Sequence, residues 1–296
     1  MEREQIDVVR GFNRAVTQRV GALDDEYLSR HRSLGLSRLL WEVGPDGTEV
    51  RVLRSRLGLD SGYVSRQLRQ LESDGLVTTD PHAGDGRVRK VRLTEAGDKE
   101  RAVLDRASDE LAESILAPLT ESQRGRLVAA MTEVGRLLLA SQVRIEITDP
   151  RSPEARYCLR SYVEELGRRF ATGFDPARSI PASDEEMTLP KGLLLVASAH
   201  GSPMGCGALK LHPETRIAEV KRMWASPDVR GLGLGRRILE RLAEEAAARG
   251  MWTLRLETNG TLAEARRLYE SAGFVEVEAF NDERYADHWF ERRLAG

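Results

Sequence analysis

Cysteine is scarce: 296 residues contain two, Cys158 and Cys206. They lie far apart in the chain and without metal-type spacing, so no metal site is expected, and both thiols read as buried packing groups of a protein from a reducing compartment. No apolar run is long enough to span a bilayer. The opening MEREQIDVVRGF lacks the apolar core of a signal peptide, which makes a soluble, cytoplasmic protein with no membrane partner the expectation. Nor does charge of one sign dominate. Lys and Arg number 45 against 47 Asp and Glu, for a net charge of −2, so any nucleic-acid surface has to be a local patch. Internal repeats, low-complexity tracts and a Gly/Ser/Pro-rich linker are also missing.

Length and texture supply the organisation. A chain of 296 residues is comfortable as two domains, each with its own core. Up to LVAAMTEVGRLLLASQ nearly everything carries helical periodicity, whereas from VRIEITDP short β-branched runs alternate with helices. The expected division is 1–141, mainly α-helical, and 142–296, an α/β domain with a central mixed sheet. With no linker between them, stiff coupling near Gln142 is expected.

In TEVRVLRSRLGLDSGYVSRQLRQLESDGLV, apolar residues fall at Val50, Leu53 and Leu57, then at Val64, Leu68 and Leu71, around the break Gly58-Leu59-Asp60. Two short amphipathic helices joined by a tight turn follow from that spacing, the second capped by Asp60 or Ser61. Away from its apolar stripe the second helix carries Ser61, Ser65, Arg66, Gln67, Arg69 and Gln70, donors suited to base edges and phosphates. A hairpin comes next. Its turn holds Pro81, Gly84 and Gly86, and its returning strand carries Arg87, Arg89, Lys90 and Arg92. Residues 51–92 contain nine Arg and Lys against five Asp and Glu, a basic patch in an otherwise balanced chain. Each of these residues also fits a solvated charged face.

SRQLRQLESDGLV and DGRVRKVRLTEAG resemble the MarR family of winged helix-turn-helix repressors, over about residues 5–141. That resemblance implies a homodimer on a palindromic operator in double-stranded DNA. Arg66 and its neighbours Ser61, Ser65, Gln67 and Arg69 would enter the major groove. Arg87 would probe the minor groove with Asp85 positioning it, and Arg89 would lie beside it. Candidate dimer helices span 2–20, 94–117 and 121–141, the last opened by Thr120 with Gln123 at capping-box spacing.

In the second domain, DVRGLGLGRRILERL puts Gly231, Gly233 and Gly235 on alternate residues ahead of an amphipathic helix. A dinucleotide turn needs a small residue where Arg236 stands, although Glu257 lies about where a ribose-binding acid would. A plain flexible turn is the other alternative. The N–H groups around Arg230, Gly231, Leu232, Gly233, Leu234, Gly235 and Arg236 suit a diphosphate at a helix N-terminus. This loop, with RIAEVKRMWASPD before it and LRLETNGTLAEARRLYESAGFVEV after it, resembles the GNAT acetyltransferase superfamily over about residues 143–292.

From the resemblance follow acetyl-CoA as donor, Tyr269 as general acid for the coenzyme sulfur, backbone pairing of Met223, Trp224 and Ala225 with the pantetheine arm, and Asn259 and Arg266 among the coenzyme-binding residues. Glu219, on IAEVKRMWA, is the candidate base; a water chain, or Glu219 merely paired with a neighbouring Arg or Lys, is the alternative. Tyr162, Glu165, Phe174, Tyr285 and His288 are candidate acceptor walls, with Arg222 able to hold a carboxylate. Together these give a transcription regulator that is also an N-acetyltransferase of a small amine. A regulator whose second domain only senses acyl-CoA, and a protein lysine acetyltransferase, are the alternatives.

Overall fold

The computed structural model describes residues 2–22, 27–29, 31–82 and 85–294, and it divides into two compact units, Met1–Met131 and Thr132–Gly296. In the first unit, α1 (Arg3–Arg19) is followed by α2 (Leu34–Trp41), β1 (Thr48–Glu49), α3 (Val50–Leu57), α4 (Ser61–Ser73), β2 (Val77–His82), β3 (Asp85–Leu93) and α5 (Glu95–Leu116). The strands form an antiparallel sheet in the order β1-β3-β2. Gly58 ends α3 in the left-handed region at φ 63°, where glycine is unstrained, and the chain re-enters helix at Asp60, whose carboxylate accepts from the Tyr63 N–H at 2.9 Å. The apolar stripes meet as expected: Leu53, Val64, Leu68 and Leu71 are buried with Leu39, Leu40 and Val43. Thr94 caps α5 by accepting from the Gly97 N–H at 3.0 Å, and its own hydroxyl donates to the Gly75 carbonyl at 2.7 Å.

Helix α6 (Glu121–Gln142) opens with the expected box: the Gln123 side chain accepts from the Thr120 N–H at 2.9 Å. The unit boundary falls inside this helix, at 131/132 rather than 141/142. The reason is packing by its last turns: Leu139 lies against the second unit's core, and Arg237 donates to the carbonyls of Ala140 at 2.8 Å and Val143 at 2.7 Å.

The second unit adds β4 (Arg144–Ile147), α7 (Pro153–Arg169), β5 (Gly192–Ala199), β6 (Ser202–His212), β7 (Ile217–Ala225), α8 (Leu234–Ala247), β8 (Thr253–Thr258), α9 (Ala263–Ser271), β9 (Val275–Val277) and β10 (His288–Arg293). Its sheet runs β4-β5-β6-β7-β8-β10-β9, antiparallel throughout except between β7 and β8. Both faces of β5 are covered, which is why GLLLVASA reads as a continuous apolar run: Leu193, Leu195 and Ala197 join the core that holds Ile238, Leu239 and Leu242 of α8, while Leu194 and Val196 join Ala155 and Cys158 of α7. At about 1.5–3 kcal/mol per buried Leu or Ile, the α8 stripe alone outweighs the intrinsic cost of a loop rich in glycine at its N-terminus.

The two cysteines, distant in sequence, are buried in one apolar cluster. The Cys158 thiol donates to the Gly205 carbonyl at 3.5 Å and the Cys206 thiol to the Arg222 carbonyl at 3.2 Å. Among the described residues there is no metal-binding cluster of His, Cys, Asp and Glu, and no helix is long and apolar enough to cross a membrane.

Candidate active site

Strands β7 and β8 pair only at Ile217, Ala218 and Glu219, and then part. The cause lies in β7. Trp224 faces Cys206 and Lys221 faces Ala208, so Arg222 and Met223 together oppose the single residue Gly207: a β-bulge, with Arg222 at φ 55°. A non-glycine residue in this region costs about 1–3 kcal/mol, and such strain persists where the surroundings enforce it. The bulge uses the room that glycine leaves opposite it: a Cβ on Gly207 would meet the Met223 sulfur at 2.7 Å. Beyond Glu219 the edge of β7 that faces β8 has no ladder partner, so backbone groups along it can pair with an extended ligand, apart from the carbonyls of Arg222 and Ala225, which accept from Cys206 and Arg230.

A cavity of about 620 Å³, within the range of small-molecule sites, occupies the gap. Its floor is the glycine loop. Gly231 and Gly233 have φ of 77° and 78°, and Gly233 is the N-cap of α8, so the first N–H groups of the helix have no intrahelical acceptor. Nothing lies within 4 Å of where a Cβ on either glycine would project, so the space beside the loop is open. Of the residues expected here, Met223, Trp224, Ala225, Arg230, Gly231, Gly233, Leu234, Gly235 and Arg236 border the cavity, whereas Leu232 packs against the core instead. The side chains of Arg230 and Arg236 are already engaged. Arg230 donates to the Ala225 carbonyl at 3.1 Å and pairs with Glu165, and Arg236 donates to Ser271 at 2.5 Å, which leaves the loop's backbone as the free donor set.

Tyr269, the expected acid, is 6% exposed and borders the cavity, its ring packed on Phe274 and Phe290 at 6.0 and 6.1 Å. Burial, with smaller contributions from Tyr162 and Glu257, pushes its phenol pKa well above the ordinary value, so the proton stays on oxygen at physiological pH.

The expected base does not reach the site. Glu219 is absent from the cavity wall, and its carboxylate is saturated: Arg255 on β8 donates at 2.5 and 3.1 Å, with Lys221 at 3.4 Å. Burial alone would raise its pKa, but the Arg255 hydrogen bonds and the charges of Lys221, Arg255 and His212 hold it below the usual carboxylate value. This is the paired strand acid. Four carboxylates among the described residues border the cavity: Glu165 and Glu264 are paired with Arg230 and Arg169, Glu283 accepts from Ser179, Ile180 and Tyr285, and Glu257, at the end of β8, is ion-paired with Lys221 and faces the Asn281 amide at 3.4 Å. Its signal in the sequence was the acid two residues before Asn259 and twelve before Tyr269.

Asn259 borders the cavity, but its amide is used internally. It donates to the Tyr285 carbonyl at 2.7 Å and accepts from the Thr261 N–H and hydroxyl at 3.0 and 2.7 Å, so it ties the Tyr285 loop to β8. Arg266 does not reach the cavity; its guanidinium lies 4.0 Å from Glu270 on its own helix. Tyr162, Glu165, Phe174 and Tyr285 line the acceptor end, joined by Phe170, which sequence reasoning missed. His288 is held by Glu276 at 2.6 Å, outside the cavity, and its strand β10 lies inside the sheet between β8 and β9.

A profile described as Acetyltransferase (GNAT) domain matches residues 190–276. The IAA acetyltransferase of Azospirillum brasilense is 36% identical over 135 residues, which are 45% of this chain and 88% of that protein. The chain belongs to the GNAT acetyltransferases. Within that family, an uncharacterized N-acetyltransferase of Bacillus subtilis, YsnE, is 44% identical over 81 residues, 26% of this chain and 52% of its own. The [Ribosomal protein bS18]-alanine N-acetyltransferase of Salmonella typhimurium is 50% identical over 51 residues, 17% and 34%. As a GNAT acetyltransferase the protein draws its acetyl group from acetyl-CoA, and the parted strands and glycine loop fit that donor: N–H groups of Gly231 and of 233–236 for the diphosphate, with the Leu232 N–H already donated to the Val229 carbonyl, and the unpaired edge of β7 for the pantetheine arm.

Proposed function

We propose that the second unit acetylates a small-molecule amine, with Tyr269 as general acid and Glu257, in place of Glu219, as the proton acceptor. The observation that carries this is the convergence of both side chains, the glycine loop and the free β7 edge on one cavity. Acetyl-CoA supplies a thioester carbon, at which a C–N bond to the amine forms as the C–S bond breaks. Glu257 takes one proton from the ammonium so that a nitrogen lone pair is available. The Tyr269 hydroxyl gives its proton to the departing sulfur, and the second proton lost from nitrogen restores the phenol. Backbone donors of the β7 edge near Met223 stabilise the carbonyl oxygen as it gains charge. The test is free-thiol release from acetyl-CoA against an amine panel spanning amino acids, aromatic amines, polyamines, aminoglycosides and a lysine peptide. Tight acetyl-CoA binding without thiol release from any amine would favour a sensor over an enzyme.

For the first unit the reading is a winged-helix dimer that binds a palindromic operator. It is supported by the exposed Ser61, Arg66 and Arg69 on α4, by the half-buried Ser65 and Gln67 beside them, and by the exposed Arg89 on β3. The side chains of Asp85 and Arg87 lie outside the described residues. Exposed apolar side chains on α1 (Val8, Val9, Phe12) and α6 (Val128, Met131) suit a second copy of the chain. Arg66→Ala is expected to weaken operator binding and lower the slope of log affinity against log salt by about one, with acetyl transfer unaffected. Titration of a palindromic duplex at several salt concentrations measures this, and two chains per duplex is the expected stoichiometry. An unchanged slope at full affinity would remove Arg66 from the interface.

A further inference from the structure

The acceptor end of the cavity is aromatic. Phe170 stacks on Tyr285 with centroids 5.8 Å apart, Phe174 sits 4.8 Å from Tyr285 and 6.0 Å from Phe170, and Tyr162 meets Phe174 edge-on at 6.3 Å. Four mutually packed rings form a stiff apolar wall for a group of about their own size. Into this chamber the bulge delivers one cation. In a regular strand, consecutive side chains point to opposite faces, so Lys221 and Arg222 would not share a cavity. With Arg222 at φ 55° that alternation is broken, and the Arg222 guanidinium lies over the ring of Tyr162, at the cavity's aromatic end. The Cys206 thiol donates to the Arg222 carbonyl, and the lack of a side chain on Gly207 leaves room for the bulge.

The other cations around the cavity have carboxylates of their own: Arg169 pairs with Glu264 at 2.8 Å, Lys221 with Glu257, and Arg230 with Glu165. Arg222 makes no ion pair among the described residues. Its contact is with Tyr162, whose ring centroid lies 5.4 Å from the guanidinium carbon. A guanidinium facing a largely apolar chamber is incompletely satisfied, and its planar fork matches a carboxylate in geometry as well as charge. Arg222 and Glu257 border the same cavity, so a ligand held there by its carboxylate can present an amine to the proton acceptor, as an α-amino acid would.

We propose that Arg222 binds the carboxylate of the acceptor, and that the acceptor is a free amino acid with an apolar or aromatic side chain, seated against Phe170, Phe174 and Tyr285. This rests on the acyl-transfer reading above. It sets the chain apart from an enzyme acting on peptide N-termini or lysine side chains, which present no α-carboxylate beside the reacting amine.

The full chain decides it, assayed by thiol release with both enantiomers of phenylalanine and leucine, their carboxamides, phenethylamine, a polyamine, an aminoglycoside and an alanine-led peptide. Wild-type kcat/KM is expected to favour a free acid over its carboxamide by about 100-fold, the discrimination of a site that leaves its charged group unpaired with the wrong ligand. Arg222→Gln is expected to bring that ratio near one, chiefly by raising KM for the acid, and Arg222→Lys to restore part of it, with calorimetric acetyl-CoA affinity confirming that each variant is folded. Equal wild-type rates for acids and carboxamides, an unchanged ratio in a folded Arg222→Gln protein, or thiol release only with the polycations or the peptide would each overturn the inference while leaving the transferase reading in place. Thiol release with none of the amines would overturn both.

Discussion

Gly233→Glu is expected to lower acetyl-CoA affinity by at least about 100-fold while the second unit stays folded. Two effects act, and geometry separates them. Gly233 has φ 78° and caps α8, so any L-residue there costs roughly 1–2 kcal/mol of backbone strain, but nothing lies within 4 Å of the position a Cβ would take and no steric penalty adds to it. The strain is small beside a domain's total stability and is offset by the apolar stripe of α8. Charge is the larger effect on binding. A carboxylate among N–H groups that have no other acceptor both fills the cradle and repels the diphosphate, and each 1.4 kcal/mol of that repulsion is a factor of ten in affinity. Gly233→Ala carries the strain without the charge and is expected to lose much less. Isothermal titration of both variants, with thermal unfolding alongside, measures the difference. Wild-type affinity in Gly233→Glu would reduce the loop to a turn.

Much of this site was legible because its signals are local. The glycine spacing, the helix behind it, and the run from Asn259 through Leu268-Tyr269 to Gly273-Phe274 each lie within one stretch of chain, and backbone rules that act over a few residues place them. Gly273 indeed ends α9 at φ 82°, and Phe274 turns into the core.

What sequence reasoning misplaced depends on pairings between distant stretches. Glu219 and Glu257 are both strand acids on the two strands that flank the site. Only the three-residue parallel register that sets Glu219 opposite Arg255 reveals that the first is consumed by an ion pair. The bulge at Arg222 depends on Gly207 in another strand, and the burial of both cysteines in one cluster depends on how α7 lies over β6. Asn259 borders the cavity, but its amide is engaged by Tyr285, which sits in a loop whose path no periodicity describes. The unit boundary was placed late for a similar reason: α6 continues unbroken through it, and only the contacts of its last turns reassign them.

The chemistry is best separated by three substitutions assayed against pH. Tyr269→Phe removes one oxygen and keeps the ring between Phe274 and Phe290, so acetyl-CoA affinity and thermal stability should change little while turnover falls by about 10²–10⁴-fold, the range for a lost general acid. Because burial holds the phenol pKa well above the assay range, that defect has no titration to follow and should be flat with pH. Glu257→Gln should behave otherwise. A base is needed only while the amine arrives as an ammonium ion, so the deficit should be largest at low pH and shrink as pH rises toward the amine's own pKa. Glu219→Gln breaks a buried pair with Arg255 outside the cavity, so its effect should appear in thermal unfolding and leave the shape of the pH–rate profile alone. Profiles of kcat/KM for the three variants on one accepted amine give the answer. A pH-dependent deficit that follows Glu219 instead of Glu257 would return the base to β7, and a Tyr269→Phe enzyme at full speed, with chemistry shown to be rate-limiting, would take the acid from α9.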